Sequence, residues 1–410
     1  MVPETWKLST IGEISNVASG GTPSRKNENY WGGHIPWVTT AEVQFGTIFN
    51  TSEKITEAGL TNSSAKLFPV NTILMAMYGQ GKTRGQVAKL GIEATTNQAC
   101  AAIMLKNEYD VDYYFQFLIS RYKHIRDLSN SGGQENLSAA IVKSIQVPVP
   151  PLPEQKKIAQ ILSKWDRAIT ITEKLLANSE QQKKALMQLL LTGKIRFPHF
   201  HEEWESKYLI DVAKVIVSPV DKKSIEGEEH VLLCNYTDVY YNYEITRKIN
   251  FMPATATRSE IEKFTLQEGD VIITKDSETP SDIAIPALVS EDLKGVVCGY
   301  HLAIVRPKKK LLDGAFLNYL FAIPQTRYYF FSLASGATRF GLSINGINKA
   351  HFKLPSLEEQ QQISLILSTI SREIEVLQEK LKCLKKEKKA LMQQLLTGKK
   401  RVKVVEINNA

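Results

Sequence analysis

No two cysteines of this chain are close in sequence: Cys100, Cys234, Cys298 and Cys383 are the only four, and none belongs to a Cys-x-x-Cys pair. Such usage argues against a disulfide framework and a zinc knuckle, and it fits a reducing, cytoplasmic location. A run of 18 apolar residues is missing, as is a secretory leader, so neither a membrane span nor export is expected. The seven histidines are scattered. Their one close pair, His199-Phe-His201, has no third ligand nearby and reads as a solvated junction rather than a metal site. There is no Gly-x-Gly-x-x-Gly and no Gly-x-Ser-x-Gly elbow. A nuclease-like Asp282…Asp292-Leu-Lys294 can be drawn, but such spacings arise by chance in chains of this size. No catalytic residue and no metal ligand is assigned.

What remains is basic and long. The 410 residues suffice for two or more domains, and 43% hydrophobic with 23% charged residues is ordinary globular composition. A net charge of +8 favours a polyanionic partner. The stretch AMYGQGKTRG (76–85) satisfies a relaxed P-loop pattern, with Ala76 where glycine is usual and then Gly81-Lys82-Thr83. A P-loop needs a helix directly after Lys-Thr to receive phosphates at its N-terminus. The continuation, with Gly85, Gly91 and short apolar runs, predicts strands and turns instead, and therefore a glycine-flanked loop between two strands.

The strongest signal is self-similarity. KALMQLLLTGK (184–194) recurs as KALMQQLLTGK (389–399), displaced by 205 residues with one difference. EQKKIAQIL at Glu154 returns as EQQQISLIL at Glu359, and LSAAIVKSIQVPVPPLPEQ (137–155) aligns with LSINGINKAHFKLPSLEEQ (342–360). Trp6, Ile11, Glu13 and Ile14 mirror Trp204, Leu209, Asp211 and Val212 at a displacement of 198. The chain is one unit written twice, each copy a globular segment followed by a long helical one. The helical parts are close copies and the globular parts have diverged.

Within the helical parts the apolar positions step by four and three. Ile158, Leu162, Trp165, Ile169, Leu176, Leu186 and Leu190 share one stripe with Thr172, Ser179 and Lys183. Adding 205 gives Ile363, Leu367, Ile370, Ile374, Leu377, Leu381, Leu384, Leu391 and Leu395, with Lys388 at the lysine step. Ser356-Leu-Glu-Glu359 is a capping box, the Pro-rich VPPLP suits an N-terminal turn, and Gly193 and Gly398 stand where C-caps want glycine. Equal stripes in equal register predict an antiparallel coiled coil, since the second helix must return. Glu154 to Thr192 would span about 58 Å at ~1.5 Å per residue. Two different heads on such a spacer suit two separated half-sites on one duplex.

This layout resembles the specificity (S) subunit of type I restriction–modification systems. The resemblance covers nearly the whole chain and rests on the double unit, the entry VPVPPLPEQKKIAQIL, the LLTGK helix ends, and SGGTPSRKNENYWGGHIPWVTTAEV (19–43). The second copy departs there, with SPVDKKSIEGEEHVLLCNYTDV, so its loop does not carry over residue by residue. The resemblance implies an α+β architecture: two α/β target-recognition domains (1–153 and 196–356), two conserved helices (154–195 and 357–400) and a tail (401–410), as a pseudo-two-fold repeat. It implies that the chain reads a bipartite, asymmetric double-stranded DNA target and docks two copies of a DNA adenine methyltransferase subunit, with a motor-nuclease subunit joining for cleavage. S-adenosylmethionine, ATP and Mg would sit on those partners and none on this chain. The Asn-Pro-Pro-aromatic motif that a methyltransferase would need around its flipped base is missing, in keeping with a non-catalytic reader. The alternatives are an orphan subunit of a methylation-only system, a P-loop or nuclease enzyme, and a coiled-coil adaptor that ignores DNA.

Specific reading needs bidentate side chains, Arg or Lys to guanine and Asn or Gln to adenine, with Ser, Thr and backbone N–H groups on phosphates. In the first globular part the candidates are Thr22, Ser24, Arg25 and Lys26; Thr39 and Thr40; Gln80, Lys82, Thr83, Arg84 and Gln86; Asn97 and Gln98; Gln134 and Asn136. The second has Lys222 and Lys223; Tyr236 and Thr237; Lys275, Asp276 and Ser277; Arg339, Asn345 and Asn348. Arg84 leads the set, because Gly79, Gly81 and Gly85 allow close backbone approach. The basic runs KCLKKEKKA and GKKRVK read as solvated helix faces, and YYFQFL and RYYFFSL as core helices.

Overall fold

The computed structural model describes residues 3–79, 81–128, 136–221 and 224–404. The chain forms two compact units, Met1–Lys174 with Glu379–Ala410, and Leu175–Gln378. Each of the two long helices, Leu152–Leu190 and Leu357–Leu395, is divided between the units.

The units share one topology. The first has a five-stranded sheet in the order Ser15–Ser19, Cys100–Leu105, Ile73–Ala76, Val87–Leu90, Thr47–Ile48. The second repeats it as Ala213–Val217, Leu302–Pro307, Val271–Thr274, Pro286–Val289, Glu244–Ile245. A three-stranded sheet accompanies each: Glu53–Ile55, Trp31–Val38, Thr95–Thr96, and again Met252–Ala256, Glu229–Cys234, Val296–Cys298. A strand pair closes each base, Lys7–Thr10 on Gln146–Val149 and Glu205–Tyr208 on His351–Leu354. The continuous apolar runs explain the layering, because a strand covered on both faces has no polar side. Ile73 and Met75 face one core while Leu74 and Ala76 face another. Val271 and Ile273 part from Ile272 in the same way.

Both helices are 39 residues long, and the first begins at Leu152, two residues before the sequence reading places it. Pro153 falls in the first turn, where its missing N–H costs nothing. Every position of the two predicted stripes is buried or half-buried. In the first unit Ile158 and Leu162 share a core with Met392, Leu395 and Leu396, and the ion pairs Lys388–Asp166 (2.5 Å) and Lys385–Glu173 (2.7 Å) run in opposite chain directions. The helix segments there are antiparallel. In the second unit Leu190 and Leu191 join Ile363 and Leu367.

The capping box at Ser356 forms only by half. Ser356 Oγ accepts from Glu359 N–H at 3.4 Å, but the Glu359 carboxylate turns to Arg196, which donates through Nε (3.0 Å) and Nη2 (2.7 Å). Arg401, in the segment expected to be a tail, makes the corresponding bidentate pair with Glu154. Gly193 (φ +68) and Gly398 (φ +72) end the helices in the left-handed conformation glycine favours. A Cβ on Gly193 would lie 3.4 Å from the Trp204 ring, and one on Gly398 would lie 3.2 Å from Trp6. The mirrored tryptophans are therefore lids on the helix ends.

Candidate nucleic-acid interface

In each unit the loops that carry candidate residues are tied together by the same backbone hydrogen bonds. In the first, Asn97 N–H donates to the Val38 carbonyl (3.1 Å), Met77 N–H to that of Ala99 (2.8 Å), and Leu137 N–H to that of Met77 (2.9 Å). In the second, Gly299 N–H donates to Cys234 (2.9 Å), Lys275 N–H to His301 (2.9 Å), and Leu342 N–H to Lys275 (3.1 Å). One mesh is thus built twice, and residues far apart in sequence become neighbours because sheet register places strand ends side by side.

In the first unit the mesh gathers Thr39 and Thr40, Asn97 and Gln98, the loop after Met77, and Asn136. Gly21 N–H donates to the Thr96 carbonyl (2.8 Å), and the Thr22 hydroxyl bonds Gln98 Oε1. A Cβ on Gly20 would lie 2.1 Å from the Thr96 carbonyl oxygen, so the Gly-Gly-Thr-Pro loop depends on glycine to reach this position. Thr39 is occupied, its N–H and hydroxyl both donating to Glu42 Oε2 at 2.7 and 2.9 Å. Arg25 is held as well: it forks onto Glu53 and stacks 3.7 Å over the Trp31 ring. That bond raises the guanidinium pKa and holds the Glu53 carboxyl below its usual value. Ser24 and Lys26 are exposed beside it.

The Gly-Lys-Thr stretch lies between strands Ile73–Ala76 and Val87–Leu90, which pair antiparallel, and no helix follows Thr83. The structural requirement of a P-loop is unmet. Lys82 is exposed, while Thr83, Arg84 and Gln86 are half-buried. The loop rests on the helix Tyr122–Asp127, whose Tyr122 hydroxyl donates to the Lys82 carbonyl at 2.5 Å. Gln80, Gln134, Lys222 and Lys223 lie outside the described residues.

In the second unit Tyr236, Thr237, Asp276, Ser277 and Arg339 line one cleft of about 490 Å³. Tyr240, Tyr241, Asp282 and His301 share it; sequence reasoning missed the two tyrosines and the histidine, and took Asp282 only as part of the nuclease-like trio. Tyr236 hydroxyl lies 3.3 Å from Ser277 Oγ, and its ring stacks on Tyr240 at 5.5 Å. Burial raises the Tyr236 phenol, and the Asp282 carboxylate raises that of Tyr240. Lys275 Nζ donates to Asp276 Oδ2 at 2.6 Å. Asn345 and Asn348 do not line this cleft; their helix, Ile344–Asn348, packs on Leu209–Val212 and Ala213–Val217.

Asp282 precedes strand Pro286–Val289 and Asp292 follows it, so the nuclease-like trio is split to opposite ends of a strand. Burial pushes the Cys100 thiol up to about 12 and raises Cys298 well above its ordinary value. No group of three or more His, Cys, Asp or Glu side chains converges on a metal position among the described residues, and His199 and His201 are exposed. Among those residues no helix is long and apolar enough to cross a membrane.

A family model described as "Type I restriction modification DNA specificity domain" matches residues 3–181 and 201–386. The chain is 30% identical over 234 residues to the type I restriction enzyme MjaIX specificity subunit of Methanocaldococcus jannaschii, an alignment covering 52% of this chain and about half (53%) of that one. The MjaVIII specificity subunit of the same organism is 24% identical over 422 residues, covering 98% of this chain and 94% of its own. The EcoR124I/EcoR124II specificity subunit of Escherichia coli is 32% identical over 186 residues, 44% of this chain and 45% of its own. Among solved structures, the type I restriction-modification S subunit from M. genitalium superposes with a TM-score of 0.62 at 14% identity, covering 96% of each chain. A chain from a study of type I R-M complex assembly superposes with a TM-score of 0.53 at 16% identity, covering 97% of this chain and 98% of that one. These last two likenesses concern the fold.

Proposed function

Because the chain belongs to the family of type I restriction modification DNA specificity domains, we propose that it is the non-catalytic, sequence-specific DNA-binding subunit of a type I restriction–modification complex. It reads a bipartite, asymmetric target with one recognition domain per half, residues 1–153 and 196–356. The helices at 154–195 and 357–400 set the gap and dock two adenine methyltransferase subunits, and a motor-nuclease subunit joins for cleavage. S-adenosylmethionine, ATP and Mg belong to those partners.

One observation carries this reading: the same backbone mesh bears different side chains in its two copies. Val38-Thr-Thr40 in the first corresponds to Cys234-Asn-Tyr236 in the second, and Asn97-Gln-Ala99 to Gly299-Tyr-His301. A shared substrate pocket would keep its chemistry in both copies. Two readers of different sequences conserve the frame and vary the contacts.

Binding of the full chain to randomised duplexes at several salt concentrations tests the reading. Affinity should fall linearly on a log–log plot as counterions are released, with a sequence preference in two separated blocks surviving above that slope. Equal binding to all sequences would sink it in favour of a generic adaptor. Incubated with S-adenosylmethionine alone the chain should methylate nothing, whereas with its methyltransferase it should direct adenine modification to one bipartite motif.

A further inference from the structure

Arg339 is presented by a hairpin whose shape is over-determined. Ser335 N–H donates to the Gly341 carbonyl (3.2 Å), Gly341 N–H returns to that of Ser335 (3.0 Å), and Phe340–Gly341 pairs with Asp276–Ser277. Gly336 has φ +147, and a Cβ there would lie 1.9 Å from the Arg339 carbonyl oxygen, so the turn tolerates only glycine.

The side chain is anchored too. Arg339 Nη2 is 3.3 Å from His301 Nε2, and His301 Nδ1 is 3.3 Å from Asp276 Oδ2. A guanidinium only donates, so Nε2 accepts and the ring proton sits on Nδ1, pointing at Asp276. Lys275 binds the same carboxylate oxygen, which pins the inner end of the chain. Asp276 is largely buried, His301 is partly so and Arg339 is exposed, so the relay runs from the cleft wall outward. Among the described residues Arg339 forms no ion pair. The cation is fixed in orientation by a neutral acceptor and is not neutralised.

We infer that Arg339 is the guanine-reading side chain of the second unit, and that His301 and Asp276 are positioning residues acting through it. This rests on the DNA-reading function proposed above. Guanine offers two acceptors, O6 and N7, on its major-groove edge, and a planar fork of N–H donors matches them. Tethering one nitrogen fixes the plane of that fork and removes rotamer freedom that binding would otherwise have to freeze. The stacked tyrosines Tyr236 and Tyr240 and the hydroxyls of Thr237 and Ser277 stand in the same cleft for neighbouring contacts.

The test selects preferred duplexes from a randomised pool with the full chain and its variants. In Arg339→Ala the preference for guanine at one base pair of one half-site should fall about 10-fold or more, with the other half-site unchanged. Arg339→Lys should keep general affinity but lose that preference, because a point charge cannot fork, and it serves if the alanine variant folds poorly. His301→Phe should weaken preference at the same base pair and add nothing in the Arg339→Ala background. The inference is overturned if Arg339→Ala leaves every position unchanged or weakens all sequences equally, or if His301→Phe still costs preference without the arginine. A wild-type chain with no sequence preference would instead overturn the DNA-reading function itself.

Discussion

Arg306 forks onto Asp270, with Nε to Oδ1 and Nη2 to Oδ2 both at 2.8 Å, and Asp270 also accepts the Gln267 N–H at 2.9 Å. The carboxylate is 1% exposed. The repeat places Thr72 and Met104 at the corresponding points of the first unit, where no charge is buried. Arg306→Met alone should cost about 3–5 kcal/mol in denaturant unfolding, since it strands a buried charge. Adding Asp270→Thr, which imports the first unit's pair, should recover most of that loss. Glu53 is a different case, exposed by over a third and held by Arg25. Its carboxyl titrates below the ordinary 4.5. The contribution is therefore complete above about pH 4.5 and is lost as pH falls through the lowered value. Glu53→Gln should be less stable than wild type at pH 7, and the gap in unfolding midpoints should close on acidification. A gap that does not narrow at all on acidification below pH 4.5 would mean the pair's role is steric.

The helices show how identical sequence steps acquire different energetics. Lys388 and Lys183 occupy equivalent stripe positions, 205 residues apart. Lys388 bonds Asp166 at 2.5 Å, and Gln116 Nε2 holds the other oxygen of that carboxylate, also at 2.5 Å. Ser371 stands at the place of Asp166 in the second unit, so Lys183 lies instead 4.9 Å over the Tyr243 ring. Burial lowers the Lys183 pKa, with Glu375 only partly opposing it. The charged form is thus disfavoured in the folded chain, and stability should rise as pH climbs through the lowered value towards 10.5. Lys183→Met should match or exceed wild-type stability at pH 7 and abolish that alkaline rise. Lys388→Met should destabilise, since it leaves Asp166 without its cation. Thermal melts of the two variants across pH 7–10 check both.

At the scale of the molecule, duplication makes function separable. Each unit has its own mesh and its own core, so a contact changed in one leaves the other's frame intact. Arg84→Ala, in the first unit, should relax reading of one half-site by about 10-fold or more and spare the other. Equal loss at both halves would indicate a generic phosphate role. Arg84 and Arg339 substitutions should fall on opposite halves of the target, and mapping modified adenines in cells that express each variant with the methyltransferase would show it.

Local and periodic features were legible directly. The stripe from Ile158 to Leu190, its echo from Ile363 to Leu395, the cap glycines and the failure of Gly-Lys-Thr to open a helix each depend on residues within a turn or two of one another, where spacing is geometry, and the repeat shows by direct comparison of the two copies. The candidate contacts were legible only in part, because composition marks a side chain as able to bond DNA and does not say whether a neighbour already holds it. Arg25 reads as free until Glu53, 28 residues on, folds against it. His301 reads as one scattered histidine until the register of strands Val271–Thr274 and Leu302–Pro307 sets it beside Asp276. Sequence alone determined the duplication and the paired long helices, since helix periodicity acts within short stretches and duplication shows across close copies. The tertiary structure decided which loops meet, which arginines are spoken for and which is held poised, because long-range sheet register brings those groups together and no local pattern encodes it.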